Sequence, residues 1–159
     1  MEREKIVIGI TQGDINGIGY EVILKTLSES RVLDAFVPVI YGSPKVAAFH
    51  RKQLDIQGIN LNIINSVEEL NPKRINIINC SDDEIKVELG RSTVEAGKAA
   101  FAALEQATED LKKGALDAIV TAPINKKNIQ SADFHFPGHT EYLEEKFGTG
   151  TPSLMLLMN

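Results

Sequence analysis

Residues 5–27 read KIVIGITQGDINGIGYEVILKTL. The stretch falls into three parts. Its first six residues are a short run rich in β-branched side chains, which predicts a strand. A loop with glycines at 13, 17 and 19 follows, and then GYEVILKTL places apolar residues at helical spacing. The pattern is strand, loop, helix. It recurs at once: AFVPVIY (35–41) reads as a second strand and SPKVAAFHRKQLD (43–55) as a second helix, with Ser43 as N-cap and Pro44 at the first helical position.

Further along, LNIIN and RINIIN are short apolar runs that suit either a paired excursion or more strands of the main sheet. From Ser92 to Lys113 alanine and apolar residues recur at helical spacing, with Thr93 and Glu95 at the start, Lys112 and Lys113 in the last turn, and Gly114 beyond. LDAIVTAPI predicts a buried strand running into a proline-containing loop, residues 125–132 a short helix, and PSLMLLM (152–158) a closing strand. Alternating strands and helices imply an α/β fold, a mostly parallel sheet with helices on both faces. The chain is expected to form a single α/β region over residues 1–159, and its last apolar strand, with no polar loop or helix after it, is expected to belong to a truncated chain.

Composition narrows the function classes. The 159 residues are 43% hydrophobic with a net charge of −5, and the mixing of both signs gives no cationic face for phosphate backbones, so nucleic acid is not an expected partner. The longest apolar runs fall far short of the roughly 20 residues of a membrane span, and the MEREK start lacks a signal-peptide core. A cytoplasmic protein without membrane contact is expected. The lone Cys80, in INCSDD, excludes an internal disulfide and reads as a small residue at a strand end.

Ligands of open α/β sheets bind outside the carboxyl ends of strands, so the loops there carry the candidate chemistry. TQGDINGIG (11–19) fits neither the dinucleotide fingerprint nor the phosphate loop. Either Asp14 or Asn16 caps the helix that follows, or backbone amides at the helix start, with Asp14 nearby, help form a polar pocket. In TAPINKK (121–127), Lys126 is either solvated, or holds an anionic substrate or acts in proton transfer. In HFPGHTEYLEE (135–145), His135 and His139 stand at the spacing of two ligands on one helix face, but Pro137 and Gly138 make a continuous helix there improbable. His139 then sits at a helix entrance, bonded to backbone or to a substrate, and Thr140 is a candidate N-cap. His50, mid-helix among charged residues, is expected at the surface.

ITQGDINGIGYE, VTAPINK and FPGHTEYLEE, in that order and followed by an LML strand, resemble the 4-hydroxythreonine-4-phosphate dehydrogenase family of pyridoxal phosphate biosynthesis. The resemblance runs from about Ile8 to the last residue and is weakest from about Ile56 to Leu89. It implies an isocitrate/isopropylmalate dehydrogenase-like architecture of two α/β domains, truncated here to roughly the N-terminal half, and a homodimer. The implied reaction is NAD-dependent oxidation and decarboxylation of 4-phosphooxy-L-threonine to 3-amino-2-oxopropyl phosphate. A divalent metal (Zn, Mg or Co) would polarise the alcohol oxygen and stabilise the enolate. By position, the resemblance implies that His139 and Thr140 bind substrate, with Lys126 and Asp14 near the pocket. The family's metal-binding histidines would fall beyond residue 159, leaving no metal ligand in this chain, which alone would bind neither metal nor NAD productively. Ile15 and Tyr20 stand where the family's first loop has prolines, which is expected to loosen that loop. Two alternatives remain: a dehydrogenase of a related sugar acid such as threonate or erythronate phosphate, and a non-catalytic α/β module or acyl-phosphate-binding protein.

Overall fold

In a computed structural model, residues 5–82, 84–131, 133–148 and 150 are described. The closing strand predicted at 152–158 lies outside them. The order of elements is β1 (Val7–Thr11), α1 (Gly19–Leu27), α2 (Val32–Ala35), β2 (Val37–Gly42), α3 (Pro44–Gln53), β3 (Leu61–Ile64), β4 (Ile75–Asn79), α4 (Val94–Lys112), β5 (Ala118–Thr121) and α5 (His139–Phe147). The five strands among the described residues are all parallel and lie in the order β3-β4-β2-β1-β5. LNIIN and RINIIN are thus neighbouring strands of the main sheet, not an excursion from it.

Alternate strand residues serve opposite faces. Ile40 of β2 and Ile75 and Ile77 of β4 pack with Tyr20, Ile23, Leu24, Val46 and Ala47 of α1 and α3. Val37, Val39 and Tyr41 of β2 and Ile78 of β4 turn to the other face, where Ala103 and Ala107 of α4 cover them. Helices on both faces explain why the central strands are apolar on both sides. The local start signals hold: Ser43 accepts from the Val46 amide and Thr93 from the Ala96 amide, each satisfying a first-turn donor.

Four expectations fail, each for a physical reason. Residues 125–131 form a hydrogen-bonded turn in place of a helix, because the Asn125 side chain accepts from the amides of Lys127 and Asn128. Strand β5 is not buried; it is the sheet edge among the described residues, and Val120 is 55% exposed. His50 is not at the surface but 4% exposed, its Nε2 2.8 Å from the carbonyl oxygen of Ile15 and its ring stacked on Tyr20. The first loop is not loosened by Ile15 and Tyr20. Both are fully buried, and the Tyr20 hydroxyl donates toward Gln12 Oε1 at 2.9 Å and the Ser43 carbonyl at 3.2 Å.

Candidate functional site

From β1 the chain passes to β2 on one side, and β5 later adds on the other, so the strand order reverses between β1 and β5. Such a reversal is where an open α/β sheet carries its ligand crevice, at the carboxyl ends of the two strands, and the loops after β1 and β5 meet there. Gly13 makes the meeting possible. Its φ of 65° is left-handed, and a side chain there would collide with the carbonyl of Pro123. The Asp14 amide then donates to that same carbonyl at 2.9 Å.

Gln12 fixes the base of the crevice. Its fully buried side chain accepts from the Tyr20 hydroxyl and the Ser43 amide and donates to the Ala99 carbonyl and Ser81 Oγ. A single side chain therefore joins the ends of β1, β2 and β4 to α1 and α4. Asn16 works similarly, donating to the Arg91 carbonyl and Thr93 Oγ1 and accepting from the Glu88 amide. Neither residue was singled out as an anchor by sequence. The available signal was a polar side chain at the immediate end of an apolar strand.

Asp14 does not cap α1. Its Oδ1 accepts from the Asn16 amide at 3.0 Å within the loop, and the N-cap position is Ile18, without a side-chain cap bond. Thr140 is likewise not a cap; Gly138 holds that position and Thr140 is exposed in the first turn of α5.

An aromatic cluster seats α5. Phe134 and Tyr142 stack at 5.6 Å, Phe136 lies edge-on to both, and Phe101 of α4 closes the group. Phe136 and Tyr142 bracket the Pro-Gly-His turn, so their burial holds His139 against Lys126. The His139 pKa is lowered, first by burial and then by the Lys126 ammonium. The imidazole is thus neutral at pH 7, and its Nε2 is buried without a hydrogen-bond partner among the described residues. A buried, unpaired ring nitrogen beside an exposed ammonium suits an anionic, hydroxylated ligand. His135 is exposed and outside any helix, so the two histidines share no helix face.

Among the described residues no group of three His, Cys, Asp or Glu side chains converges to hold a metal ion. A cleft of about 690 Å³ opens past the end of β4 between Asn79, Cys80 and Ser81 and the α4 residues Lys98 and Gln106. None of Asp14, Lys126, His139 or Thr140 lines it. The chemistry argues for the β1/β5 crevice instead, since burial pushes the Cys80 thiol up to about 12, which makes it a poor nucleophile.

Known proteins resemble this chain in sequence and fold. The sequence profile described as Pyridoxal phosphate biosynthetic protein PdxA matches residues 34–159. The chain belongs to the PdxA family. It is 60% identical over 158 residues to a 4-hydroxythreonine-4-phosphate dehydrogenase of Bacteroides thetaiotaomicron, covering 99% of this chain and 43% of that protein. It is 34% identical over 163 residues to a Clostridium botulinum protein provisionally named D-threonate 4-phosphate dehydrogenase, covering 98% and 47%. The crystal structure of a 4-hydroxythreonine-4-phosphate dehydrogenase from Burkholderia phymatum superposes with a TM-score of 0.83 at 29% identity, covering 94% of this chain and 46% of that one. This PdxA chain therefore spans less than half the length of the relatives it matches. No helix among its described residues is long and apolar enough to cross a membrane.

Proposed function

We propose that this chain is roughly the N-terminal half of a two-domain, cytoplasmic, homodimeric dehydrogenase. The complete protein oxidises and decarboxylates 4-phosphooxy-L-threonine to 3-amino-2-oxopropyl phosphate with NAD and a divalent metal, in pyridoxal phosphate biosynthesis. What carries this is the close identity, over nearly the whole chain, to a named 4-hydroxythreonine-4-phosphate dehydrogenase. The geometry at His139 is in keeping with it.

The described residues do not by themselves fit a metal or NAD site. The described residues hold no converging ligand set, and the first loop lacks the dinucleotide fingerprint. On this reading the metal ligands lie beyond residue 159. When bound, the metal supplies Lewis-acid polarisation and NAD accepts the hydride.

This chain's part is substrate positioning. His139 is neutral at pH 7 and presents its buried Nε2 to a polar group of the substrate. Thr140, one residue on and exposed, offers a hydroxyl. Lys126 supplies positive charge for an anionic group, while Asp14 bounds the crevice from the first loop and is held there by the Pro123 contact.

A second reading, oxidation of threonate 4-phosphate, is favoured by the likeness to the Clostridium botulinum protein. The substrates differ by an ammonium against a hydroxyl. NADH formation by the complete protein with each acid in turn decides between them: faster turnover of 4-phosphooxy-L-threonine is expected, and turnover of the sugar acid alone would overturn the first reading.

A further inference from the structure

Asn16 and Gly17 form the one Asn-Gly pair of the chain. Such a pair can react with itself. With no side chain on the second residue to obstruct it, its backbone nitrogen can reach the asparagine Cγ. As the N–Cγ bond forms the Cγ–Nδ2 bond breaks, and ammonia leaves with the proton of the Gly17 amide. Water then opens the cyclic imide at either carbonyl, leaving aspartate or isoaspartate. Water is the only co-reactant.

The fold holds both reacting groups away from this path. Asn16 is 3% exposed. Its Nδ2 donates to the Arg91 carbonyl at 3.0 Å and to Thr93 Oγ1 at 3.2 Å, and its Oδ1 accepts from the Glu88 amide at 2.7 Å, all from residues 72 to 77 positions further along the chain. The Gly17 amide points elsewhere, donating to the Asp14 carbonyl at 3.1 Å. The carboxamide cannot swing toward that nitrogen until its side-chain bonds break, which means until residues 88–93 lift from the loop after β1. Nor does the fold demand glycine at 17. Its φ is not left-handed, and an added Cβ would meet only Asp14, at 3.5 Å or beyond.

We propose that Asn16 is a deamidation site gated by the fold. It reacts when residues 88–93 detach from the loop after β1, and the reaction makes the detachment permanent. The product carboxylate has no N–H for the Arg91 carbonyl and sets its negative charge against that oxygen. The tie lost is the one that fastens the approach to α4 onto the loop carrying Asp14, so the reaction loosens the crevice itself. The inference rests on bonds within this chain and stands whatever the substrate.

Peptide mapping by mass spectrometry of the complete protein, held in mildly alkaline buffer with and without urea, tests this, and methyl transfer by an L-isoaspartyl methyltransferase identifies the product. Asn16 should convert about tenfold or more slowly in the native protein than in urea. Thr93→Val, which removes one acceptor of Nδ2, should speed the native reaction several-fold and leave the rate in urea unchanged, whereas Thr93→Ser should match the wild type. Gly17→Ala should suppress the reaction in both states, and Asn16→Asp should lower the urea midpoint. Native conversion as fast as in urea, a native rate that Thr93→Val does not move, or an Asn16→Asp midpoint equal to that of the wild type overturns the proposal. Should Asn16→Asp fail to fold, the midpoint of aged, converted wild type is read in its place.

Discussion

The backbone amide of Asp14 donates to the carbonyl of Pro123 at 2.9 Å, fastening the loop after β1 to the loop after β5 where the strand order reverses. Gly13→Ala should break this junction. A left-handed alanine costs about 1–2 kcal/mol, and its methyl would also press on the Pro123 and Ala122 carbonyls. Urea unfolding of the complete protein should show a loss of about 2 kcal/mol or more. A variant with the wild-type midpoint would mean that the loops do not depend on this contact.

Gln12 offers a second test. Its removal leaves the Ser43 amide without the partner it has here, whereas the Ala99 carbonyl keeps its place in the hydrogen-bond ladder of α4. Gln12→Ala should therefore lose about 1–3 kcal/mol, the cost of one buried unpaired group, in thermal or urea unfolding. A loss below about 1 kcal/mol would show that water or relaxation replaces the network.

The parts of this fold that could be read in sequence are those set by local chemistry. Ser43 followed by Pro44 announced a helix start, Thr93 another, and the apolar runs marked the strands, because caps and strands depend on neighbours a few residues away. Strand order does not. The edge position of β5, with Val120 exposed, and the burial of His50 against Ile15 depend on partners far along the chain. The turn at Asn125 was mistaken for a helix because a side-chain acceptor outcompeted helical pairing. In the candidate site, the Pro-Gly interruption before His139 was legible, and it correctly separated His135 from His139. The approach of Lys126 to Gly138 was not, since it is made by the aromatic packing of Phe134, Phe136 and Tyr142.

His139 should titrate below its ordinary pKa, owing to burial first and Lys126 second. Because the folded pKa is depressed, the unfolded chain takes up the proton first as pH falls. The associated stability is present above the unfolded value of about 6.5 and is lost as pH falls through the folded pKa. Lys126→Met should move the imidazole pKa upward, but not fully to the ordinary value, because burial remains. NMR of the ring proton in the complete protein reads this directly; an unmoved pKa would show that the ammonium is not coupled to the ring.

Cys80 should resist alkylation. With the thiol pushed up to about 12 by burial, roughly one molecule in ten thousand carries thiolate at pH 8. Iodoacetamide should label it only on unfolding. Rapid labelling of the native protein would contradict its burial beside the β4 end.

The most direct test of the site is His139→Ala in the complete enzyme, with kcat/KM and bound metal measured together. Loss of a substrate hydrogen bond predicts a fall in kcat/KM of about 5–150-fold, or about 1–3 kcal/mol, with metal content unchanged. Unaltered kcat/KM, or a loss of metal in step with activity, would contradict the placing of His139 as a substrate contact.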